Sequence, residues 1–226
     1  MLNRFLVIIL ILFASNLYPE GRPTPFLDQE LEQLSFYMGY LIGRDHAKNS
    51  YGFPIKFEKL AEGMKAGIAG DFVQGKEELV PLIKRMQKSI VEKQTAYNLQ
   101  EAESYLKALV TNQPSLVEDE SSKLFYLVKQ EGNGLEVQGQ PWLHFKMSEW
   151  KEGELHLIYS TYEDKGEPLQ VDLEAVVPGF LRGVQGMRVG EERTIYVHPD
   201  LAFGLGKLDI APNRLIVFDV LACPTQ

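Results

Sequence analysis

Four histidines, one cysteine and 31 acidic residues are the side chains here best suited to bind metals, attack substrates or move protons. Their spacing suits none of these tasks. His46, His144, His156 and His198 are dispersed, without the close pairing that closes a zinc site. Cys223 sits near the C-terminal end of a 226-residue chain, where a nucleophile has little structure to hold it. As the only cysteine it forms no intramolecular disulfide, so stability must come from the core. Glu118-Asp119-Glu120 lacks the spacing and glycine of a calcium loop and reads as a solvated hinge. No pair of acids is marked out for glycoside chemistry. The sequence calls for no metal and no cofactor.

The unusual stretch is AVVPGFLRGVQGMRVGEERTIYVHPDLAFG, residues 175–204. Glycines at 179, 183, 186, 190, 204 and 206 interrupt an otherwise apolar run. Gly179 and Gly204 would permit tight turns that aim Phe180 and Phe203 into a shared concavity. The same glycines serve equally well as ordinary turn chemistry of a β domain.

The elements around this stretch change character along the chain. MLNR, then the apolar run FLVIILILF and Ala14-Ser15, has the order of a secretory signal peptide, assigned to residues 1–16. Residues 17–27 carry three prolines and read as a flexible leader. From Asp28, a candidate N-cap, Leu31, Leu34, Met38, Leu41 and Ile42 recur at helical spacing. Gly39 and Gly43 inside that helix each cost about 1 kcal/mol relative to alanine, which close helix–helix approach would offset. FEKLAEGMKAGIAG restores the helical period, and a long helix follows over about 76–111. At 1.5 Å per residue it would be a rod of about 50 Å, with charges of both signs along it. Residues 28–113 thus form a helical domain and 114–123 a hinge. From 124 to 226 the runs LFYLVKQ, WLHFKM, LHLIYST, PLQVDL, ERTIYVH and RLIVFDVLA read as short antiparallel strands. Helices first and strands second give a two-domain α+β protein, its β-sheet domain wrapped on a short helix. A net charge of −8 and a pI near 5.1 argue against nucleic acid or anionic membrane as a partner.

Residues 175–204 resemble the signature of FK506-binding-protein (FKBP) peptidyl-prolyl isomerases. The resemblance rests on Val176-Val177-Pro178-Gly179-Phe180, then Val184, Met187, Gly190 and Glu191, then Pro199, Ala202, Phe203 and Gly204. IAPNRLIVFDVLA is similar to the closing strand of the same family. SFYMGYLIGRD, FEKLAEGMKAGIAG and NLQEAESYLKAL resemble the amino-terminal module of the Mip (macrophage infectivity potentiator) group. The resemblance implies rotation of X-Pro bonds in periplasmic or otherwise extracytoplasmic polypeptides, with outer-membrane association an option. It implies a homodimer through the N-terminal helices, with Gly39 and Gly43 in intertwined helices. It also implies macrolide binding of the FK506 or rapamycin type, weakened by the departures below.

Carried onto this chain, the catalytic positions are Phe145, Tyr159, Ser160, Val177 and Phe203, and the substrate-binding positions are Val176, Phe180, Phe218 and Ile210. The backbone N–H of Val177 would bind a substrate carbonyl. The departures are polar. Ser160 stands where the family has a carboxylate, Phe145 and Phe203 where it has tyrosines, and Phe180 where it has tryptophan. Each lost hydrogen bond is worth about 0.5–1.5 kcal/mol, and several together would lower activity by roughly one to three orders of magnitude. The alternative is a non-catalytic dimeric chaperone that holds peptides in a degenerate isomerase pocket.

Overall fold

The computed structural model describes residues 26–70, 76–164, 166–206 and 210–224. The signal peptide and most of the leader lie outside them. The chain forms two compact units that divide between Ile90 and Val91.

The first unit is helical. Helix α1 spans Asp28–Asn49 and α2 spans Phe57–Ala69, and α3, Lys76–Asn112, begins in this unit. The N-cap of α1 is Leu27 rather than Asp28; the Glu30 carboxylate accepts from Leu27 N at 2.7 Å, and Asp28 instead favours the helix dipole from the first turn. A turn with Tyr51 and Gly52 at positive φ follows, and a His46 ring nitrogen bonds Phe53 O at 2.8 Å across it. Gly70 ends α2 in the left-handed conformation that glycine adopts without strain. Neither α1 nor α2 buries a single residue.

The second unit holds the rest of α3 and an antiparallel sheet. Its strands are β1 Val117–Glu118, β2 Leu124–Gln130, β3 Trp142–Lys151, β4 Glu154–Ser160, β5 Leu169–Gln170, β6 Glu192–Val197 and β7 Ile216–Cys223. The order across the sheet is β1-β2-β6-β7-β3-β4, with β5 pairing β3. Helix α4, Thr161–Asp164, follows β4, and α5, Pro178–Val184, lies between β5 and β6. Within the segment 114–123, Val117–Glu118 pairs with Phe125 and Tyr126.

Both faces of the sheet are covered. On one, Ile216, Phe218, Val220 and Ala222 of β7 pack with Ile195 of β6 and with Phe180 and Val184 of α5. On the other, Val217 joins Phe125 and Leu215 beneath Ala102 and Leu106 of α3. Two-sided covering explains why β7 reads as a nearly continuous apolar run instead of alternating. Tyr105 of α3 packs at a tilt against Trp150, with ring centroids 4.2 Å apart. Burying one leucine such as Leu106 contributes about 1.5–3 kcal/mol, so this half of α3 is held by tertiary packing.

Candidate functional site

Helix α5 is the floor of the candidate site, and two glycines set its position. A Cβ on Gly179 would overlap Val197 Cγ1 and one on Gly183 would overlap Ile195 Cγ2, so neither residue can carry a side chain at this helix–strand distance. Gly179 therefore acts through close approach rather than through a turn conformation; Gly204, at φ +50, is a genuine turn glycine. Pro178 occupies the first turn of α5, where its missing N–H is harmless. The other end is capped from the core: Arg193 Nη1 donates to Gly183 O at 2.8 Å and Gln185 O at 3.2 Å. Glu191 Oε1 accepts from Arg193 Nε at 2.7 Å, its other oxygen accepts from Arg188 N at 3.0 Å, and the pair is buried. The Gly190-Glu191 pair of the sequence signature thus positions α5.

Above this floor the aromatic rings form a continuous wall. Tyr159 and Phe145 are 5.5 Å apart between centroids, Phe145 and Phe180 5.6 Å, and Phe180 and Phe218 4.7 Å in edge-to-face contact. Phe180, Phe218 and Ile210 are buried in one cluster, against which Phe145, Val176, Val177 and Phe203 pack half-buried. The structure thus brings together eight of the nine positions named from the sequence. The ninth, Ser160, is buried next to Tyr159, and its Oγ has no hydrogen-bond partner among the described residues.

The backbone around these rings is fixed by polar contacts. Thr161 Oγ1 accepts from Phe145 N at 2.9 Å, and Tyr162 stacks on His144 at 4.2 Å. A 3-10 turn, Pro199–Leu201, leads to Phe203; its His198 Nδ1 accepts from Asp200 N at 3.2 Å. Burial pushes the His198 imidazole below its ordinary value, against the opposing pull of the Asp200 carboxylate. A hydrogen bond from Lys123 holds Asp200 below the usual carboxylate range. Burial and then the Asp164 carboxylate push the Tyr159 phenol up, so it remains protonated at neutral pH. Val177 is the N-cap of α5, and its carbonyl accepts from Phe180 N and Leu181 N. Its own N–H has no acceptor among the described residues.

Met147, Ile158, Leu201 and the signature residue Ala202 also pack against this cluster, and none of the four is among the positions assigned to the site from the sequence. The signal for Met147 was present: it lies two residues after Phe145 on β3, on the same face. Among the described residues no cluster of three or more His, Cys, Asp or Glu side chains is placed to hold a metal ion. A separate depression on the opposite face of the sheet carries Lys129, Lys146 and Asp219, where Lys129 and Asp219 pair at 2.8 Å. Such a site can surround a peptide with apolar surface and offer one backbone donor. Among the described residues, the aromatic pocket shows no nucleophile–base pair.

Residues 130–221 match the family described as FKBP-type peptidyl-prolyl cis-trans isomerase, and residues 31–128 the domain amino-terminal to it. The peptidyl-prolyl cis-trans isomerase Mip of Chlamydia pneumoniae is 34% identical over 207 residues, covering 90% of this chain and 78% of the relative. Mip of Chlamydia trachomatis serovar D is 32% identical over 192 residues, covering 84% and 76%. The crystal structure of FkpA from Escherichia coli superposes with a TM-score of 0.61 at 21% identity, covering 87% of this chain and 94% of that one, a likeness of fold. With its aromatic wall, its capped short helix and the identity shared over most of its length, this chain belongs to the FKBP-type peptidyl-prolyl cis-trans isomerases of the Mip group.

Proposed function

We propose that the protein accelerates rotation about X-Pro bonds of extracytoplasmic polypeptides in the pocket walled by Phe145, Tyr159, Phe180, Phe203, Ile210 and Phe218. The observation that carries this reading is the unengaged Val177 N–H beside a cluster without charged side chains. Amide resonance sets a rotation barrier of about 18–20 kcal/mol. A twisted amide has lost much of its resonance dipole, so an apolar wall favours it over the planar form. Val177 N–H would hold a carbonyl of the flanking peptide in register, and no bond is made or broken. The N-terminal signal pattern supports the extracytoplasmic setting. The same wall would take a macrolide of the FK506 or rapamycin type, with affinity reduced by the absent hydroxyls at Phe145 and Phe203.

The test is cis/trans exchange in a Leu-Pro peptide followed by NMR, with residues 22–226 and the variant Val177→Asp. Aspartate is a good N-cap, so the substitution supports α5 while placing a carboxylate at the pocket lip. Acceleration that Val177→Asp abolishes, with the fold kept, is the expected result. No acceleration at tens of micromolar protein would favour the second reading, a peptide-holding chaperone, which the missing polar groups and the unpartnered Ser160 Oγ support.

We also infer that the first unit pairs with a second copy of the chain. Phe36 is 78% and Ile68 82% exposed, and nothing lies within 4 Å of a Cβ built on Gly39 or Gly43. Two helices that bury nothing lack a core of their own, and glycines four apart suit the approach of another helix. Light scattering on the chain 22–226 should give twice its own mass, and a monomeric mass refutes the pairing.

A further inference from the structure

Behind the sheet, four consecutive residues between Ile210 and β7 are tied to one stretch of α3. Asn98 Nδ2 donates to Pro212 O at 2.7 Å. Asn213 Nδ2 donates to Thr95 O at 3.3 Å. Arg214 Nη1 donates to Glu101 Oε2 at 2.8 Å, with the two side chains 4% and 16% exposed. Leu215 packs with Ala102 and Leu106. Thr95, Asn98 and Ala102 recur at three- and four-residue steps, which places them on one face of the helix.

Asn98 stands out because it suits its place poorly. It is 1% exposed within a helix, where asparagine is a weak helix former and a buried amide must be paired. Its Oδ1 has no partner among the described residues. An apolar residue would serve both helix and core better, so the bond to Pro212 accounts for an amide here. Pro212 lies at the base of the segment that carries two walls of the pocket. Asn213 N donates to Gly204 O at 2.6 Å, which joins the residue after Phe203 to the chain three residues beyond Ile210. Asn213 itself is held at φ +55, a conformation asparagine tolerates better than most residues. Phe203 and Ile210 both pack in the aromatic cluster, while no residue of α3 does.

We infer that Asn98, supported by Glu101, is a positioning residue for the isomerase pocket. Through Pro212, Asn213 and Arg214 it fixes where Phe203 and Ile210 stand, so α3 governs catalysis from the opposite face of the sheet. The inference rests on the aromatic cluster being the substrate pocket.

The test uses the two-unit chain with Asn98→Asp, which keeps the size and removes the donor, and with the milder Glu101→Gln. Leu109→Ala, which weakens the same rear core, is the control for lost stability. Three quantities are read: the thermal midpoint, kcat and KM on a Leu-Pro peptide, and the NMR methyl resonances of Ile210 and Val184. Losing one hydrogen bond corresponds to a factor of about 2–13, so kcat/KM should fall about 3- to 10-fold in Asn98→Asp, and by less in Glu101→Gln, whose amide oxygen still accepts from Arg214 but without the charge. The Ile210 methyls should shift while those of Val184 stay, and Leu109→Ala should lower the midpoint with neither effect. An unmoved Ile210 in both variants overturns the inference, as does an equal loss of kcat/KM in Leu109→Ala. If Asn98→Asp does not fold, Glu101→Gln decides by the same criteria. If the parent chain is inactive on the peptide, the pocket assignment has failed, and the Ile210 shift still decides whether α3 holds that residue.

Discussion

Replacing Gly179 with alanine tests how closely α5 must approach β6. Gly179 has no left-handed φ, so alanine fits the backbone, and helix propensity alone would favour it by up to about 1 kcal/mol. Packing opposes the change more strongly. The added Cβ would overlap Val197 Cγ1 and lie 2.9 Å from Leu201 O. Val197 is 0% exposed, so its methyls have no free space to enter, and Leu201 O is backbone of the turn before Phe203. Helix α5 must therefore lift off the strand, at an over-packing cost of about 1–3 kcal/mol. The net loss is about 1–2 kcal/mol, which for a unit of this size lowers the thermal midpoint by roughly 3–12 °C. Lifting α5 also carries Phe180 away from its edge contact with Phe218, so peptide isomerisation should fall with stability. Gly183→Ala should also lower the midpoint, because the new Cβ meets Ile195, itself 0% exposed, but no backbone atom is among its nearest neighbours, so the turn before Phe203 is spared. Thermal unfolding followed by circular dichroism, with a Leu-Pro exchange assay on each variant, gives both numbers. A midpoint for Gly179→Ala equal to or above the parent refutes the close-approach account.

Phe203→Tyr restores a hydroxyl to a half-buried wall and should raise kcat/KM about 2- to 10-fold if the absent hydrogen bond limits turnover; an unchanged or lower rate in the peptide assay removes that explanation. Burial holds His198 below 6.5, so the unfolded chain takes up its proton first as the pH falls. The stability contributed by the neutral imidazole is complete above 6.5 and is lost as the pH drops toward and through the lower folded value. Protonation also removes the acceptor for Asp200 N in the turn before Phe203. The thermal midpoint should therefore decline as the pH falls below about 6.5, and His198→Gln should flatten that decline; an identical slope in the variant assigns it to other groups.

The α+β class was legible because the hydrophobic period changes from helical to strand-like near residue 124, and β2 begins at Leu124. Two features were not legible, for physical reasons. Gly179 was read as a turn glycine because a sequence shows only that a Cβ is missing, never which neighbour occupies its place. The charges of both signs along the rod hide the buried face of the second half of α3, although Asn98, Ala102 and Leu106 already form a stripe. That stripe is short and includes a polar residue, so its burial shows only when the outer face of the sheet is placed beneath it. Continuous hydrophobicity in β7 carried the complementary signal, since a strand covered on both faces needs a covering layer on each.

What the pocket retains matters more than what it lacks. If the proposed assignment of Phe145, Ser160 and Phe203 holds, each missing polar group would remove about 0.5–1.5 kcal/mol of binding to the twisted amide. Those losses scale the rate by factors and leave the reaction type unchanged, because rotation about the amide needs neither a nucleophile nor a proton carrier. The larger requirement is a wall that does not solvate the planar amide dipole, and in the proposed pocket Phe180, Phe218 and Ile210, at no more than 6% exposure, would supply it. A charge introduced at that wall should therefore harm catalysis more than the missing hydroxyls do. Val177→Asp should fall furthest, the displacement of α5 in Gly179→Ala less, and Phe203→Tyr should move the other way. A different order, with Phe203→Tyr dominating, would show that specific hydrogen bonds rather than apolar surroundings carry the rate in this pocket.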